Sequence, residues 1–564
     1  MLQKFIIYQL LPRLFGNTTR VNIPNGSITE NGCGKLNGIT DKALQSIKKL
    51  GVTHVWFTGV IEHATQTDYT EYGIAKDHPA VVKGKAGSPY AIKDYYDIDP
   101  DLAVDVPHRM EEFEALVERT HKAGLKVVLD FVPNHVARQY CSDAKPAGVV
   151  DLGESDDENK AFDPQNNFYY IPNQIFAGQF NLLKGEKTPY HEFPAKATGN
   201  DQFSAWPTTN DWYETVKLNY GIDYVGGAVR HFDPIPDTWH KMRDILLFWA
   251  GKNVDAFRCD MAEMVPVEFW GWTIPQIKKQ YPEIVFIAEV YNPAAYRHYI
   301  DFGRFDYLYD KVGMYDTLRS VTCGHEPARH ISMTWQKVSD ILPKMLFFLE
   351  NHDEQRIASC FFAGNATRAI PAMIVAATLT VSPVMVYAGQ ELGEPAADAE
   401  GFSGDDGRTS IFDYWSVDSL RNWYNDGNCD GQPLSSEQQH LRAFYQQLLT
   451  LSLTEKAISQ GEMFDLMYAN CGQARFNPDK QFVYLRKYGD NLLLICVNFD
   501  VKAVDIEVII PKHAFEYLQL QDGSVARATD LLSGTEEAPQ PFSSEQPFTL
   551  HLEGTSGKIV KLVL

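Results

Sequence analysis

From residue 5 to about residue 400 the chain repeats one unit, a short apolar run followed by an amphipathic stretch at helical spacing. Parallel strands need a long crossover, and a helix is the usual one, so this alternation predicts a parallel α/β architecture. Strand candidates are residues 5–8, residues 54–57, and the apolar runs of KVVLDFVPNH, VDAFRCD, IVFIAE, FDYLYD, MLFFLENHD and PVMVYAGQE. That makes eight, the number that closes a (β/α)8 TIM barrel. Between them lie predicted helices at 40–50, 108–123, 237–251, 267–281 and 366–379. Thr40 is a natural N-cap before Asp41, while Met110, Phe113, Leu116 and Val117 share a helical face that ends at Gly124.

Two stretches depart from the rhythm. Residues 136–235 are rich in Asn, Gly, Asp, Pro and aromatics without helical periodicity, and read as a module inserted after the third strand. Beyond a last helix at 436–449 the pattern turns purely β: FVYLRKYGDNLLLICVNF reads as a hairpin turning near Gly489 and Asp490, with further strands at 505–510, 548–552 and 558–564. The expected organisation is therefore a barrel from 1–135 and 236–455, an inserted module at 136–235, and a C-terminal antiparallel β-sandwich at 456–564.

A TIM barrel builds its active site at the carboxyl ends of its strands. Polar residues just beyond the apolar runs are the ones to interrogate. Asp130, Asn134 and His135 follow one strand, Arg258 and Asp260 a second, Glu289 a third, and His352 and Asp353 a fourth. A retaining glycosidase uses two carboxyl groups about 5–5.5 Å apart, one to attack the anomeric carbon and one to protonate the leaving oxygen. Arg258 and Asp260 are two residues apart, on one face of a strand, where the guanidinium favours an ionised nucleophile. Glu289 follows the apolar residues 285–288, where desolvation favours a protonated acid. Asp353, with His352 and His135, would grip ring hydroxyls as positive charge develops on the sugar.

These residues fall in an order that resembles the α-amylase family of glycoside hydrolases: DFVPNH at 130–135, DAFRCD at 255–260, AEVY at 288–291 and ENHDEQR at 350–356. GVTHVWFTGV, YAIKDYYDIDP and YAGQELG are further family-like stretches. The resemblance implies Asp260 as nucleophile, Glu289 as acid/base and Asp353 as a third, transition-state-stabilising carboxylate, with Tyr90, His135, Arg258 and His352 binding the substrate. It also implies cleavage of α-1,4 bonds in maltooligosaccharides or starch-like glucans. A transglycosylase would run through the same intermediate, and a catalytically silent sugar-binding barrel is the rival from another class. Many relatives carry a Lys-His pair after the nucleophile; here Glu263 and Met264 stand there, which leaves the product pattern open. Asn134 matches an Asn that in many relatives helps bind structural calcium, although several relatives lack the ion. No organic cofactor is expected.

Composition narrows the partners. A net charge of −22 disfavours nucleic acid and anionic membrane surfaces, which are bound through Lys and Arg. No run of about 18 apolar residues suggests a membrane span. MLQKFIIYQLLPRLFG lacks the features of a secretory leader, so the cytoplasm is the expected compartment. The eight cysteines show no Cys-x-x-Cys spacing and read mostly as buried thiols, Cys259 among them on the far face of its strand from Asp260. Trp206, Trp212 and Tyr213 read as local packing rather than sugar platforms, and the acidic run at 151–160 as a solvated loop.

Overall fold

The computed structural model describes residues 4–178 and 188–563 of the chain. Eight parallel strands close into a barrel: β1 (Ile6–Leu10), β2 (His54–Phe57), β3 (Lys126–Phe131), β4 (Ala256–Cys259), β5 (Val285–Ala288), β6 (Tyr307–Tyr309), β7 (Met345–Phe348) and β8 (Val384–Tyr387). Each strand pairs with its sequence neighbours and β8 pairs with β1, closing the ring. The barrel expected from the alternation is present with all eight strands.

Strand geometry sends successive side chains to opposite faces. Ile7, Trp56, Val128, Ala256, Ile287, Tyr307, Leu346 and Met385 fill the barrel interior. Their neighbours Ile6, Tyr8, Val55, Val127, Leu129, Phe257 and Phe286 point outward into the layer packed by the helices. Those helices include Asp41–Lys49, Arg109–Lys122, Asp237–Ala250, Val267–Gln280 and Ile370–Thr378. Thr40 caps the first of them, its hydroxyl accepting from the Ala43 amide at 3.3 Å.

After β3 the described chain up to Asp237 forms only short antiparallel ladders, among them His135–Ala137 with Thr215–Lys217. This is the segment whose composition broke the rhythm, and residues 179–187 of it lie outside the described residues. Trp206 is exposed, Tyr213 is buried, and Asp156 in the acidic run accepts from the Asn167 and Phe168 amides, tying that run into the segment.

At the C-terminal end an antiparallel sheet of six strands carries β9 (Glu462–Asp465), β10 (Gln481–Tyr488), β11 (Asn491–Asn498), β13 (Ser524–Asp530), β14 (Glu536–Phe542) and β16 (Ser556–Val563). A two-stranded ribbon, β12 (Val504–Val508) with β15 (Phe548–Leu552), supplies the second layer of the expected sandwich. Residue 564, the end of the last expected strand, lies outside the described residues. All eight cysteines are unbridged, but only Cys259, Cys429 and Cys496 are buried, against the expectation of mostly buried thiols; Cys259 lies in the layer outside the barrel, as its strand position requires.

Candidate active site

The interior alternation carries one step further at the carboxyl end of the barrel. Two residues beyond Ile7, Val128, Ala256, Ile287 and Tyr307 stand Gln9, Asp130, Arg258, Glu289 and Tyr309, all aimed by strand periodicity at the same axis. Asp130 and Arg258 are paired directly across β3 and β4.

Arg258 is the hub of this layer. It is 1% exposed, and its Nη1 lies 2.8 Å from Asp260 Oδ1 and 3.3 Å from Asp130 Oδ1, while Nη2 lies 2.9 Å from Glu289 Oε1. Its guanidinium sits 5.2 Å from the Trp56 ring and 5.5 Å from those of Tyr90 and Tyr309. Three carboxylates surround one cation. Removing water from such a group strengthens every charge interaction in it.

Glu289 is buried, as the apolar run before it predicts, but its oxygens meet donors rather than hydrocarbon. Oε2 accepts from the Met261 amide at 2.8 Å, and Oε1 accepts from the Tyr291 hydroxyl at 2.6 Å and forms an ion pair with Arg258 at 2.9 Å. Met261 reaches it from a left-handed backbone, φ 40°, directly after Asp260. The Asp260 amide in turn donates to Phe131 O at 2.9 Å, and the Glu289 amide to Cys259 O at 3.1 Å. The barrel ladder thus runs one residue past each strand and fixes both carboxyl-bearing positions.

Asp353 comes from the turn after β7, two strands around the ring from β5, where Asn351 Oδ1 accepts from the Asp353 and Glu354 amides at 2.9 and 3.0 Å. His352 lies with Nε2 3.2 Å from Asp353 Oδ2, and its Nδ1 takes the Gln9 amide at 2.8 Å. The Tyr90 ring stacks on His352 at 5.0 Å, and His135 leans on Trp212 at 5.2 Å. Asp260, Glu289, Asp353, Tyr90, His135 and His352 line a single cleft of about 420 Å³, together with Lys83, Ser88, Trp212, Glu214, Tyr291, Arg408 and Phe412. Arg258 lies beneath its floor.

Burial dominates the electrostatics. It pushes the Asp260 carboxyl well above the usual range, with Arg258 pulling it back and the neighbouring carboxylates adding to the rise. Asp130 is pushed up to about 7 by burial, against the pull of Arg258 and the Trp56 indole N–H at 2.8 Å. Burial also lowers His135 and His352 to about 3, assisted by Lys217 and Lys83 for His135 and by Arg258 for His352. Both imidazoles are therefore neutral at ordinary pH, suited to hydrogen-bonding hydroxyl groups rather than to carrying charge.

The calcium expectation attached to Asn134 is not met at that residue. Its Oδ1 accepts from the Lys217 ammonium at 2.8 Å, and its Nδ2 donates to Gly199 O at 2.8 Å. Lys217, 1% exposed, also pairs with Asp201 at 2.5 Å. An ammonium group stands where the resemblance implied a divalent ion, and the donor set does not fit calcium. Lys217→Met is expected to cost about 1–3 kcal/mol, because Asn134 Oδ1 is left without its donor. Chemical denaturation with and without chelator checks this: the loss should be the same in both, whereas a chelator effect confined to the parent would restore calcium to Asn134.

Several cleft residues escaped the sequence reading. Trp212, expected to be packing, lines the cleft. Lys83 and Glu214 form an ion pair at 2.9 Å on its wall, and Arg408 and Phe412 arrive on the loop after β8. Tyr291 was legible only as a motif letter two residues beyond Glu289. Glu263, at one of the altered positions, is held by the Asn292 amide at 3.0 Å and belongs to a hollow separate from this cleft.

With this geometry in hand, comparison with known proteins is decisive at the level of family. The alpha amylase catalytic-domain model matches residues 9–447. The chain belongs to the alpha-amylase family. Within that family it is 27% identical over 262 residues to Maltase A1 of Drosophila melanogaster, covering 45% of this chain and 33% of that protein. It is 22% identical over 410 residues to Neopullulanase 2 of Thermoactinomyces vulgaris, covering 70% and 57%. Over 217 residues it is 39% identical to an alpha-1,4-glucan:maltose-1-phosphate maltosyltransferase of Cereibacter sphaeroides, covering 36% and 25%. The chain thus spans a third to just over half the length of the first two relatives. In fold it resembles the alpha-amylase of Geobacillus thermoleovorans solved with acarbose, at a TM-score of 0.64, 18% identity, and coverage of 100% and 99%. Among the described residues no helix is long and apolar enough to cross a membrane.

Proposed function

We propose that this alpha-amylase family member is a retaining glycoside hydrolase of α-1,4-linked maltooligosaccharides or starch-like glucans. One observation carries the reading: Asp260 and Glu289 share the Arg258 guanidinium at the floor of one cleft, at 2.8 and 2.9 Å, with Asp353 lining the same cleft. Two carboxyl groups held on neighbouring nitrogens of one guanidinium support the short spacing of double displacement over the wider one of inversion.

In this reading Asp260 attacks the anomeric carbon while protonated Glu289 gives its proton to the departing glycosidic oxygen. A covalent glycosyl ester forms on Asp260. Glu289, now ionised, takes a proton from water as that water displaces Asp260, and the original configuration returns. Arg258 keeps Asp260 available as the anion. The Tyr90 ring offers a sugar-stacking face, and the neutral His135 and His352 with Asp353 hold ring hydroxyls. The names of the relatives, which include maltases and a neopullulanase, support the substrate class. The maltosyltransferase relative favours transfer to a second sugar as the runner-up reading, and Glu263 and Met264 in place of Lys-His leave the balance between the two open.

Proton NMR of fresh maltotriose digests separates these outcomes. The expected result is shorter products released in the α configuration. Major early products longer than maltotriose would replace hydrolysis by transfer. Release of the β anomer, or no cleavage of any maltooligosaccharide, would end the reading altogether.

A further inference from the structure

We propose that Glu62, Asp94, Asp97 and Asp143 form a calcium site that fastens the start of the segment after β3 to the barrel. One ligand oxygen from each residue lies within 4.8 Å of all the others; Glu62, Asp94 and Asp97 are buried, and Asp143 is exposed. Calcium binds oxygen at about 2.3–2.6 Å, so ligands facing each other across one ion stand roughly 4.6–5.2 Å apart. The four oxygens fit around a single ion without rearrangement of the fold.

The cluster contains a buried group that hydrogen bonding leaves unsatisfied. Glu62 is 1% exposed, and among the described residues its Oε2 has no hydrogen-bond partner. Asp94, by contrast, accepts from the Ser142 hydroxyl at 2.6 Å and from the Tyr96, Asp143 and Ala144 amides. Asp97 accepts from the Ile98 amide at 2.7 Å and pairs with Arg109. Lys93, the neighbour of Asp94 in sequence, is engaged by Asp77 at 2.9 Å. Among the described residues these four carboxylates share one ion pair, that of Asp97 with Arg109, and a buried carboxylate without a donor is costly.

The ligand chemistry follows from the donors. All are carboxylate oxygens, with no imidazole or thiolate, which suits a hard cation and not zinc. Magnesium demands bonds of about 2.0–2.1 Å in a rigid octahedron and keeps most of its water, a poor match to three buried carboxylates. Exposed Asp143 provides the entry path. Because Asp94 already holds residues 142–144, an ion here would tie the loop after β2 to the first residues beyond His135–Ala137.

The test is calcium titration of the chelator-treated full chain by calorimetry, with thermal midpoints recorded in parallel. One ion per chain is expected, at a dissociation constant below ~1 mM, with a midpoint that rises as calcium is added. Glu62→Gln and Asp143→Asn should each weaken binding by about tenfold or more, and Asn134→Ala should leave it unchanged. Should Glu62→Gln fail to fold, Asp143→Asn still decides, since its side chain is exposed. Absence of binding, binding indifferent to both ligand variants, or binding lost with Asn134→Ala would each overturn the site.

Discussion

Asp260→Asn is expected to lower turnover of maltooligosaccharides by about four orders of magnitude or more while leaving a folded protein. The side chain keeps its size and its position after β4, and an amide oxygen can still accept from Arg258 Nη1, which now lies 2.8 Å from the carboxylate. What it loses is the anion that forms the glycosyl ester. Arg258 is not stranded by the change, because Asp130 and Glu289 remain at 3.3 and 2.9 Å. A neutral partner in place of one of three crowded carboxylates also relieves repulsion, so the thermal midpoint should hold or rise. The measurement is kcat on maltotriose beside a circular-dichroism melt. A variant that melts like the parent and retains more than about a tenth of its turnover would mean that the nucleophile lies elsewhere.

This result depends on a layer of the barrel that was largely readable in advance, and the reason is periodicity. Residues such as Val128 and Ala256 identify the inward face of a strand, and two residues on the same face is Asp130 or Arg258. Each strand thus announces which polar side chain it delivers to the axis. β10 and β11 were equally plain because their apolar content is nearly continuous. The strands that went unseen, β9, β13 and β14, include both edges of the six-stranded sheet. β14 reads EEAPQPF, with two prolines that only an edge tolerates, and little apolar signal to reveal it.

The cleft walls were illegible for a related reason. Trp212 and Glu214 of the cleft, and Lys217 outside it, come from the segment after β3, where short ladders replace long helices and no period marks an inward face. Lys217 in particular sits on a three-residue strand opposite His135, and only that pairing brings its ammonium to Asn134. A motif can nominate Asn134. It cannot say what stands against it.

Glu289→Gln carries the other large effect, and its pattern matters more than its size. General acid–base catalysis contributes about 10²–10⁴-fold, and Glu289 is asked to act twice, first as acid and then as base. On maltotriose the loss should therefore be near the upper end of that range. A maltooside with a dinitrophenolate leaving group needs no proton to depart, so its first step should be nearly spared and the glycosyl ester on Asp260 should accumulate. Azide, an anion that needs no general base, should then speed release and yield a glycosyl azide of retained configuration. A glutamine oxygen turned to the Tyr291 hydroxyl and Arg258 keeps both contacts, and only the Met261 amide loses its acceptor, so most of the geometry of the site survives the change. Equal losses on both substrates, with no response to azide, would separate Glu289 from proton transfer and leave it only a part in holding Arg258 and Tyr291 in place.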